Sequence, residues 1–185
     1  MCIRDRYDAI FEEFGCYPHV IINRLHRIKL DANREIVEAA NGNSLAEQAW
    51  NEFHDFIDDS KISINTQFEK GIYIDLHGHG HDIQRLELGY LMSKTMLQSA
   101  DLVLNEESNI DLSSIMNLVH DNLEGLNHSE LIRGETSLGE FYEMENYPAV
   151  PSQTDPFPIG SEPYFSGGYN TLRHGSREDL SLIHI

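Results

Sequence analysis

The segment GIYIDLHGHGH, residues 71–81, decides how this chain is interpreted. Its first six residues form a mostly apolar run with two isoleucines and a tyrosine, which is typical of a strand buried in a sheet. Three histidines separated by single glycines follow at once. The sequence therefore predicts a buried strand over residues 71–76 that carries several imidazoles at its end.

Further strands and helices are predicted on both sides of this segment. Residues 19–25 (HVIINRL) are predicted to form another buried strand, and residues 85–92 a third. Helical spacing of apolar residues predicts helices over residues 7–14, 33–40, 44–57, 113–122, 129–132 and 138–144. This order predicts an α/β fold with a mixed, largely parallel sheet flanked by helices.

The helix predicted over residues 44–57 is amphipathic. Asn43 or Ser44 is expected to cap its N-terminus. Gly15 and the pair Asn41-Gly42 are expected to end the two preceding helices, because glycine and asparagine tolerate the left-handed backbone found there. The apolar face is predicted to consist of Leu45, Ala49, Phe53 and Phe56.

The composition limits the classes of partner. The net charge of -18 repels a phosphate backbone, so no nucleic-acid partner is expected. No apolar run approaches membrane-spanning length, so no membrane segment is predicted. Cys2 lies in the N-terminal segment that is set apart below as translated adapter, and once it is discounted only Cys16 remains. No internal disulfide is then possible, which predicts a cytoplasmic protein. Cys16 is expected to be a small buried hydrophobe.

Both ends of the chain are predicted to be translated sequencing adapter. Residues 180–185 (LSLIHI) can be encoded by CTG TCT CTT ATA CAC ATC. The reverse complement of that DNA, read in a shifted frame as ATG TGT ATA AGA GAC, encodes MCIRD, which is residues 1–5. Residues 1–6 and 180–185 are therefore set apart. Residues 7–179 are expected to be a single domain that is truncated at both ends.

The three histidines predict a metal site. Alternate residues of an extended chain share a face, so His77, His79 and His81 can converge on one ion. Neutral imidazole is a common zinc ligand. His77, which lies nearest the strand, is the expected ligand, with His79 and His81 as alternatives. Asp75 is expected to orient a ligand from outside the coordination sphere.

Positive charge is concentrated in residues 23–34 (NRLHRIKLDANR) of an otherwise acidic chain. Arginine binds a carboxylate through both arms of its planar guanidinium, and α/β folds place ligands at strand ends. This segment is therefore a candidate carboxylate site, with Asp31 as a supporting residue. A solvated loop whose arginines pair with neighbouring acidic residues explains the same composition equally well.

Two segments near the C-terminal end also carry signals. Five of the six prolines lie in residues 148–163 and predict an irregular surface connection or, alternatively, a loop that covers a site. Residues 164–175 (YFSGGYNTLRHG) combine a glycine pair with polar side chains. Asn170 and Arg173 are candidates for binding a polar substrate, although a turn before a strand accounts for the same pattern.

Three motifs, in order along the chain, resemble those of the N-formylglutamate amidohydrolase family. RIKLDANR, residues 27–34, matches the family's Arg, three residues, Asp, one residue and Asn-Arg. Asp75-Leu76-His77 matches the Asp-x-His that ends a buried strand. FSGGYNTLRHG, residues 165–175, looks like a downstream motif of one branch. The resemblance extends from about residue 7 to residue 179.

The resemblance implies a zinc-peptidase-like fold with one Zn²⁺, held by two histidines and one acidic residue, with His77 as the later histidine. It implies that Arg27 is catalytic and faces the scissile carbonyl, and that Asn33 and Arg34 hold a substrate carboxylate. The family's first zinc motif is expected before residue 7, and its catalytic Glu beyond the downstream motif. The chain by itself is therefore expected to bind zinc weakly and to have negligible activity.

For the complete protein, the resemblance implies metal-dependent hydrolysis of the amide bond in an N-formyl or N-acyl amino acid such as N-formylglutamate. The substrate is then a small-molecule carboxylate. Two other functions stay open: a zinc carboxypeptidase-like peptidase, and a noncatalytic domain that binds a metal or a ligand.

Overall fold

The computed structural model describes residues 3–68, 70–175 and 180–184, with side chains described for residues 7–68 and 70–175. The chain divides into two compact units, residues 1–63 and 64–185. Helices and short strands occur together and the strand pairs are parallel, which confirms a mixed α and β structure. The zinc-peptidase-like architecture and the single domain over residues 7–179 stay predictions.

The first unit is helical. Its helices are α1 (Ile3–Phe14), α2 (Ile36–Ala40) and the beginning of α3 (Ser44–Phe68). The predicted ends are confirmed, since Gly15 follows α1 with φ +71° and Asn41 follows α2 with φ +49°. Asn43 caps α3, because its Oδ1 accepts hydrogen bonds from the backbone nitrogens of Leu45 at 3.0 Å and Ala46 at 3.1 Å.

The buried face of α3 differs from the predicted one. Leu45 is 75% exposed and Phe56 is 57% exposed, so the predicted face was wrong by one residue. Trp50 sets the orientation, because its Nε1 donates a hydrogen bond to the carbonyl of Arg34 at 2.9 Å. The residues that α3 buries are Ala46, Trp50, His54 and Ile57.

The buried strand predicted over residues 19–25 is wrong. This segment is irregular, and its apolar side chains Val20, Ile22 and Leu25 are each more than 40% exposed. A strand gains stability by pairing with a neighbour, and no described strand lies in the first unit. Residues 19–25 instead line an open cavity of about 540 Å³ beside α3. Cys16 is exposed, which contradicts its predicted burial.

The second unit contains short helices and strands in mixed order. Its described elements after α3 are β1 (Gly71–Asp75), β2 (Leu86–Glu87), α4 (Lys94–Leu97), α5 (Asp101–Leu104), α6 (Glu107–Ile110), α7 (Met116–Asp121), α8 (His128–Arg133), α9 (Leu138–Met144), β3 (Ala149–Val150), α10 (Tyr169–His174) and β4 (Leu180–His184). The three helices predicted between residues 113 and 144 are therefore confirmed, with α9 at the predicted bounds.

Both described strand pairs are parallel, but they form two separate two-stranded sheets and not the one mixed sheet that was predicted. β1 pairs with β4 from Gly71↔Leu180 to Asp75↔His184, and β2 pairs with β3 through Leu86↔Ala149 and Glu87↔Val150. Two predictions about these strands were wrong. The strand expected over residues 85–92 is only two residues long, and β1 is half-buried, with Ile72 and Ile74 at 51% and 41% exposure.

The adapter prediction concerns residues that the structure describes only in part. Residues 3–6 lie in α1 and residues 180–184 form β4, whereas residues 1, 2 and 185 lie outside the described part of the chain. The origin of both ends stays a prediction.

The core of the second unit is an apolar cluster around the extended segment that follows β2. Its buried members are Leu88, Tyr90, Met92, Leu97, Leu104, Ile115 and Ile132. The segment after the prolines lies directly against this extended stretch, because a Cβ added to Gly89 would approach the backbone nitrogen of Gly167 to 2.6 Å. Among the described helices, none is long and apolar enough to cross a membrane.

His128 is a buried titratable group at the start of α8. Its Nδ1 lies 2.7 Å from the carbonyl oxygen of Leu104, and among the described residues its Nε2 has no hydrogen-bond partner. Burial lowers the pKa of His128 below its ordinary value of 6.5, against a smaller raising effect of the Leu104 carbonyl. The folded protein therefore disfavours the addition of a second proton to this ring.

The free energy of unfolding is expected to decrease as the pH falls below about 6.5, because the unfolded chain then binds a proton that folded His128 does not. In His128→Asn, which keeps an N–H for the Leu104 carbonyl, the decrease should be shallower by up to about 1.4 kcal/mol per pH unit. Urea unfolding between about pH 5 and 7 measures both slopes, with His120→Asn at an exposed histidine as the control. Equal slopes for wild type and His128→Asn would contradict this expectation.

Candidate metal centre

Three side chains of the second unit converge in a group that could hold a metal ion. His79, His81 and Glu87 each offer one ligand atom, and these atoms lie within 4.8 Å of one another. His79 is exposed, His81 is partly buried, and Glu87 is only 2% exposed. The group therefore has one side open to solvent and a buried carboxylate at its base.

Glu87 is the best-positioned member of the group. It belongs to β2, and the parallel pairing with β3 fixes its backbone. Its Oε1 lies 2.8 Å from Nδ1 of His81, and its Oε2 accepts a hydrogen bond from the backbone nitrogen of Phe165 at 2.7 Å. A buried carboxylate is unfavourable unless hydrogen bonds and a neighbouring positive charge stabilise it. A protonated His81 or a bound cation would supply that charge.

His79 is oriented by a backbone contact. Its Nε2 lies 2.7 Å from the carbonyl oxygen of Arg85. A ring nitrogen that faces a carbonyl carries the proton, so Nδ1 is the unprotonated nitrogen of His79. In this state Nδ1 accepts a long hydrogen bond from the backbone nitrogen of His81 at 3.3 Å. Metal-binding histidines commonly donate their second N–H to a carbonyl in this way.

The donor set suits a divalent transition metal. Two imidazoles and one carboxylate are a common ligand set of catalytic zinc sites, in which the fourth position holds water or substrate. In a tetrahedral zinc site with bonds of about 2.0–2.2 Å, the ligand atoms lie roughly 3.3–3.6 Å from one another. Ligand atoms within 4.8 Å of one another therefore need to move closer together to share one ion. Gly78 and Gly80 have open space around them, so the backbone between the histidines has room to adjust.

His77 and Asp75 form a neighbouring pair. Nε2 of His77 lies 3.0 Å from Oδ2 of Asp75, whose side chain is largely buried at the end of β1. The predicted contact between Asp75 and a histidine is therefore present. The group of three ligands, however, contains the two alternative histidines and not His77. The role of His77 as the metal ligand stays a prediction.

The surroundings of Tyr73 in β1 favour the uncharged form of its hydroxyl. Burial raises the pKa of Tyr73 well above its ordinary value, and the carboxylate of Asp75 adds to the effect. The ring of Tyr73 meets the ring of His174 edge to face, with 6.1 Å between the centroids. β1, which ends at Asp75 two residues before His77, is thus anchored on one side by aromatic packing.

The predicted carboxylate site lies in the first unit. Nε of Arg27 lies 2.7 Å from Oδ2 of Asp31, and Nε of Arg34 lies 3.6 Å from the same oxygen. Oδ1 of Asp31 accepts a hydrogen bond from the backbone nitrogen of Asn33 at 3.3 Å. Asp31 therefore forms ion pairs with both arginines, and its role as a supporting residue of a carboxylate site stays a prediction. Both guanidinium groups stay accessible, since the side chains of Arg27 and Arg34 are 71% and 52% exposed.

The third predicted cluster is an irregular segment followed by a helix. Gly167 adopts φ +121°, but no turn is assigned at residues 164–168, and the segment leads into α10 and not into a strand. Asn170 is buried in α10, whereas Arg173 is exposed and its NH1 donates to the hydroxyl of Tyr169 at 3.3 Å. The predicted substrate contacts of Asn170 and Arg173 stay predictions.

Glu87 is the site residue that the sequence analysis missed. Its signal is a charged residue inside the apolar run RLELGYLM, residues 85–92. Buried acidic residues are rare unless they are paired or bind a metal, so a strand with a central glutamate indicates a partner nearby. The sequence pattern did not indicate the pairing with His81, which lies six residues before Glu87. The bend at residues 82–85 brings the two side chains together.

No protein-family model, curated protein or solved structure matches this chain. The functional interpretation therefore depends on the residues of the candidate site and on the sequence motifs.

The chain is expected to bind one zinc ion, with Glu87→Gln and His81→Asn each lowering the affinity by more than about 10-fold because each removes a ligand. Competition with a chromophoric chelator measures the dissociation constant, and metal analysis after gel filtration measures the stoichiometry. His77→Asn separates the two ligand assignments, since it should leave the affinity nearly unchanged if His79, His81 and Glu87 form the site.

His120→Asn is the matched control, because His120 also lies beside a glutamate, with Nε2 3.6 Å from Oε1 of Glu107, but outside the group. Wild-type affinity in both Glu87→Gln and His81→Asn would exclude this metal centre.

Proposed function

We propose that this chain is the metal-binding part of a zinc-dependent amidohydrolase that cleaves the amide bond of an N-formyl or N-acyl amino acid. The observation that carries the proposal is the buried carboxylate of Glu87 beside the imidazoles of His79 and His81, with one side of the group open. The sequence motifs supply the substrate class, because they resemble those of the N-formylglutamate amidohydrolase family.

The chemistry of the centre follows from its donors. When bound, zinc supplies a water whose pKa is lowered to about 7, and it polarises a carbonyl oxygen. Glu87 and the two imidazoles would hold the ion, and such ligand sets commonly leave a fourth position for water or substrate. His79 is exposed, so a small molecule could reach the group.

The proposal assigns substrate binding to the arginine segment. The family resemblance implies that Arg27 donates hydrogen bonds to the oxyanion formed in the reaction, where such a donor stabilises the transition state. Arg34 and Asn33 would bind a carboxylate of the amino-acid substrate, since a guanidinium binds a carboxylate through two parallel hydrogen bonds. The accessible guanidinium groups around Asp31 support this assignment.

In the full-length enzyme, Arg27→Ala is expected to lower kcat by about 100- to 1000-fold, because one oxyanion donor is lost. The zinc content should not change. The release of glutamate from N-formylglutamate measures the rate of hydrolysis, and metal analysis measures the zinc content. Arg24→Ala is the matched control, since Arg24 is an exposed arginine of the same segment.

Three results distinguish the proposal from its alternatives. A fully active Arg27→Ala enzyme would remove the catalytic role of Arg27. Faster cleavage of peptides than of N-formylglutamate would indicate a carboxypeptidase-like enzyme. A full-length protein that binds zinc and hydrolyses none of these substrates would indicate a noncatalytic metal-binding domain.

A further inference from the structure

Arg85 is a buried cation that lies between the candidate metal ligands in sequence. Its side chain is 6% exposed. Its Nη1 donates hydrogen bonds to Oδ2 of Asp155 at 2.8 Å and to Oε2 of Glu162 at 3.1 Å. Its Nη2 donates a hydrogen bond to the carbonyl of Pro163 at 3.4 Å. All three acceptors belong to the proline-rich segment, residues 148–163. A single guanidinium therefore ties two points of that segment to the strand region.

The backbone of Arg85 contacts the metal group on one side. Its carbonyl oxygen lies 2.7 Å from Nε2 of His79, so it fixes the tautomer and the ring orientation of that ligand. The position of this carbonyl depends on where the Arg85 side chain is anchored, because the two share one Cα. The ion pairs with Asp155 and Glu162 thus restrain the acceptor of His79.

The side chain of Arg85 affects the metal group from the other side. Pro163 is two residues before Phe165, whose backbone nitrogen donates to Oε2 of Glu87 at 2.7 Å. Lys94 strengthens the same anchor, since its Nζ donates to the carbonyls of Gly160 and, at 3.2 Å, Glu162. The chain is then held against the strand region by the hydrogen bond from the Leu91 nitrogen to the Ser166 carbonyl at 2.7 Å. Anchoring residues 155–163 therefore places the amide that orients Glu87.

We infer that Arg85 is a positioning residue of the metal centre, which holds His79 through its own carbonyl and Glu87 through the anchored proline-rich segment. This inference rests on the metal centre of the proposed function. It gives the proline-rich segment a supporting role, which differs from the loop covering a site that the sequence left open. Arg85 does not contact the ion and is not a catalytic residue.

The charge balance explains why the anchor requires arginine. Burial raises the pKa of Asp155, while the Arg85 guanidinium opposes that rise, and a hydrogen bond from the Ile159 nitrogen together with Arg85 lowers the pKa of Glu162. One planar guanidinium group thus donates hydrogen bonds to two carboxylates and one carbonyl. Lysine has one charged nitrogen and cannot reproduce that fork of donors.

The test compares Arg85→Lys with Arg133→Lys in the full chain. Arg133 is the matched control, because its side chain is 12% exposed and bonds to one carboxylate, Asp101, and to the carbonyls of Leu97 and Ser99. It has no contact with the ligand group among the described residues. Three quantities are measured: the zinc dissociation constant, the visible spectrum of the Co²⁺ form, and the thermal unfolding of the metal-free protein.

Arg85→Lys is expected to weaken zinc binding by about 10- to 100-fold, the usual effect of losing a partner behind the ligands, and to change the Co²⁺ spectrum. Arg133→Lys should lower the unfolding temperature of the metal-free protein without changing the affinity or the spectrum. A folded Arg85→Lys protein with wild-type affinity and spectrum would overturn the inference.

A second pair of variants covers an Arg85→Lys protein that does not fold. Asp155→Asn and Glu162→Gln each remove one carboxylate from the anchor and leave the ligands and Arg85 intact, so each should weaken zinc binding. Wild-type affinity in both overturns the inference. A wild-type protein that binds no zinc removes the metal centre and this inference together, whereas a zinc-loaded full-length protein without amidase activity removes only the proposed reaction.

Discussion

The buried carboxylate of Glu87 is the constraint on which the candidate site depends. Water is excluded from this side chain, so its negative charge must be stabilised by its neighbours. The amide of Phe165 and the imidazole of His81 meet that need, at 2.7 Å and 2.8 Å. These two contacts join the strand that carries Glu87, the histidine segment and the chain beyond the prolines. The same contacts that stabilise the charge also assemble the ligands.

The two charged clusters of the chain are organised in different ways. In the first unit a partly exposed aspartate, Asp31, gathers arginines that stay accessible to solvent. In the second unit a buried arginine, Arg85, gathers two carboxylates whose side chains are about 30% exposed. Exposed ion pairs exchange readily for a ligand because their net stabilisation is small. The ion pairs of a buried cation hold their geometry, because breaking them leaves an unpaired charge inside the protein. The first arrangement suits binding and the second suits positioning.

Local chemistry explains which elements the sequence predicted correctly. The caps at Asn43, Gly15 and Asn41, and helix α9, depend on neighbours within a few residues, and all are present. The buried strand at residues 19–25 and the apolar face of α3 depend on partners that are distant in sequence, and both predictions failed. In α3 the hydrogen bond from Trp50 to Arg34, sixteen residues away, selected a face one position from the apolar repeat.

The sequence by itself determined the chemistry available to this protein: an acidic chain, a histidine-rich segment at the end of a strand, and an arginine segment around Asp31. Only the tertiary structure decided which of those groups act together. It placed His79 and His81 with Glu87, whereas the contact of His77 with Asp75, two residues away, is local. The physical reason is that residue type fixes what a side chain can bind, whereas the bend at residues 82–85 and the parallel pairing of β2 with β3 fix what comes within reach of it.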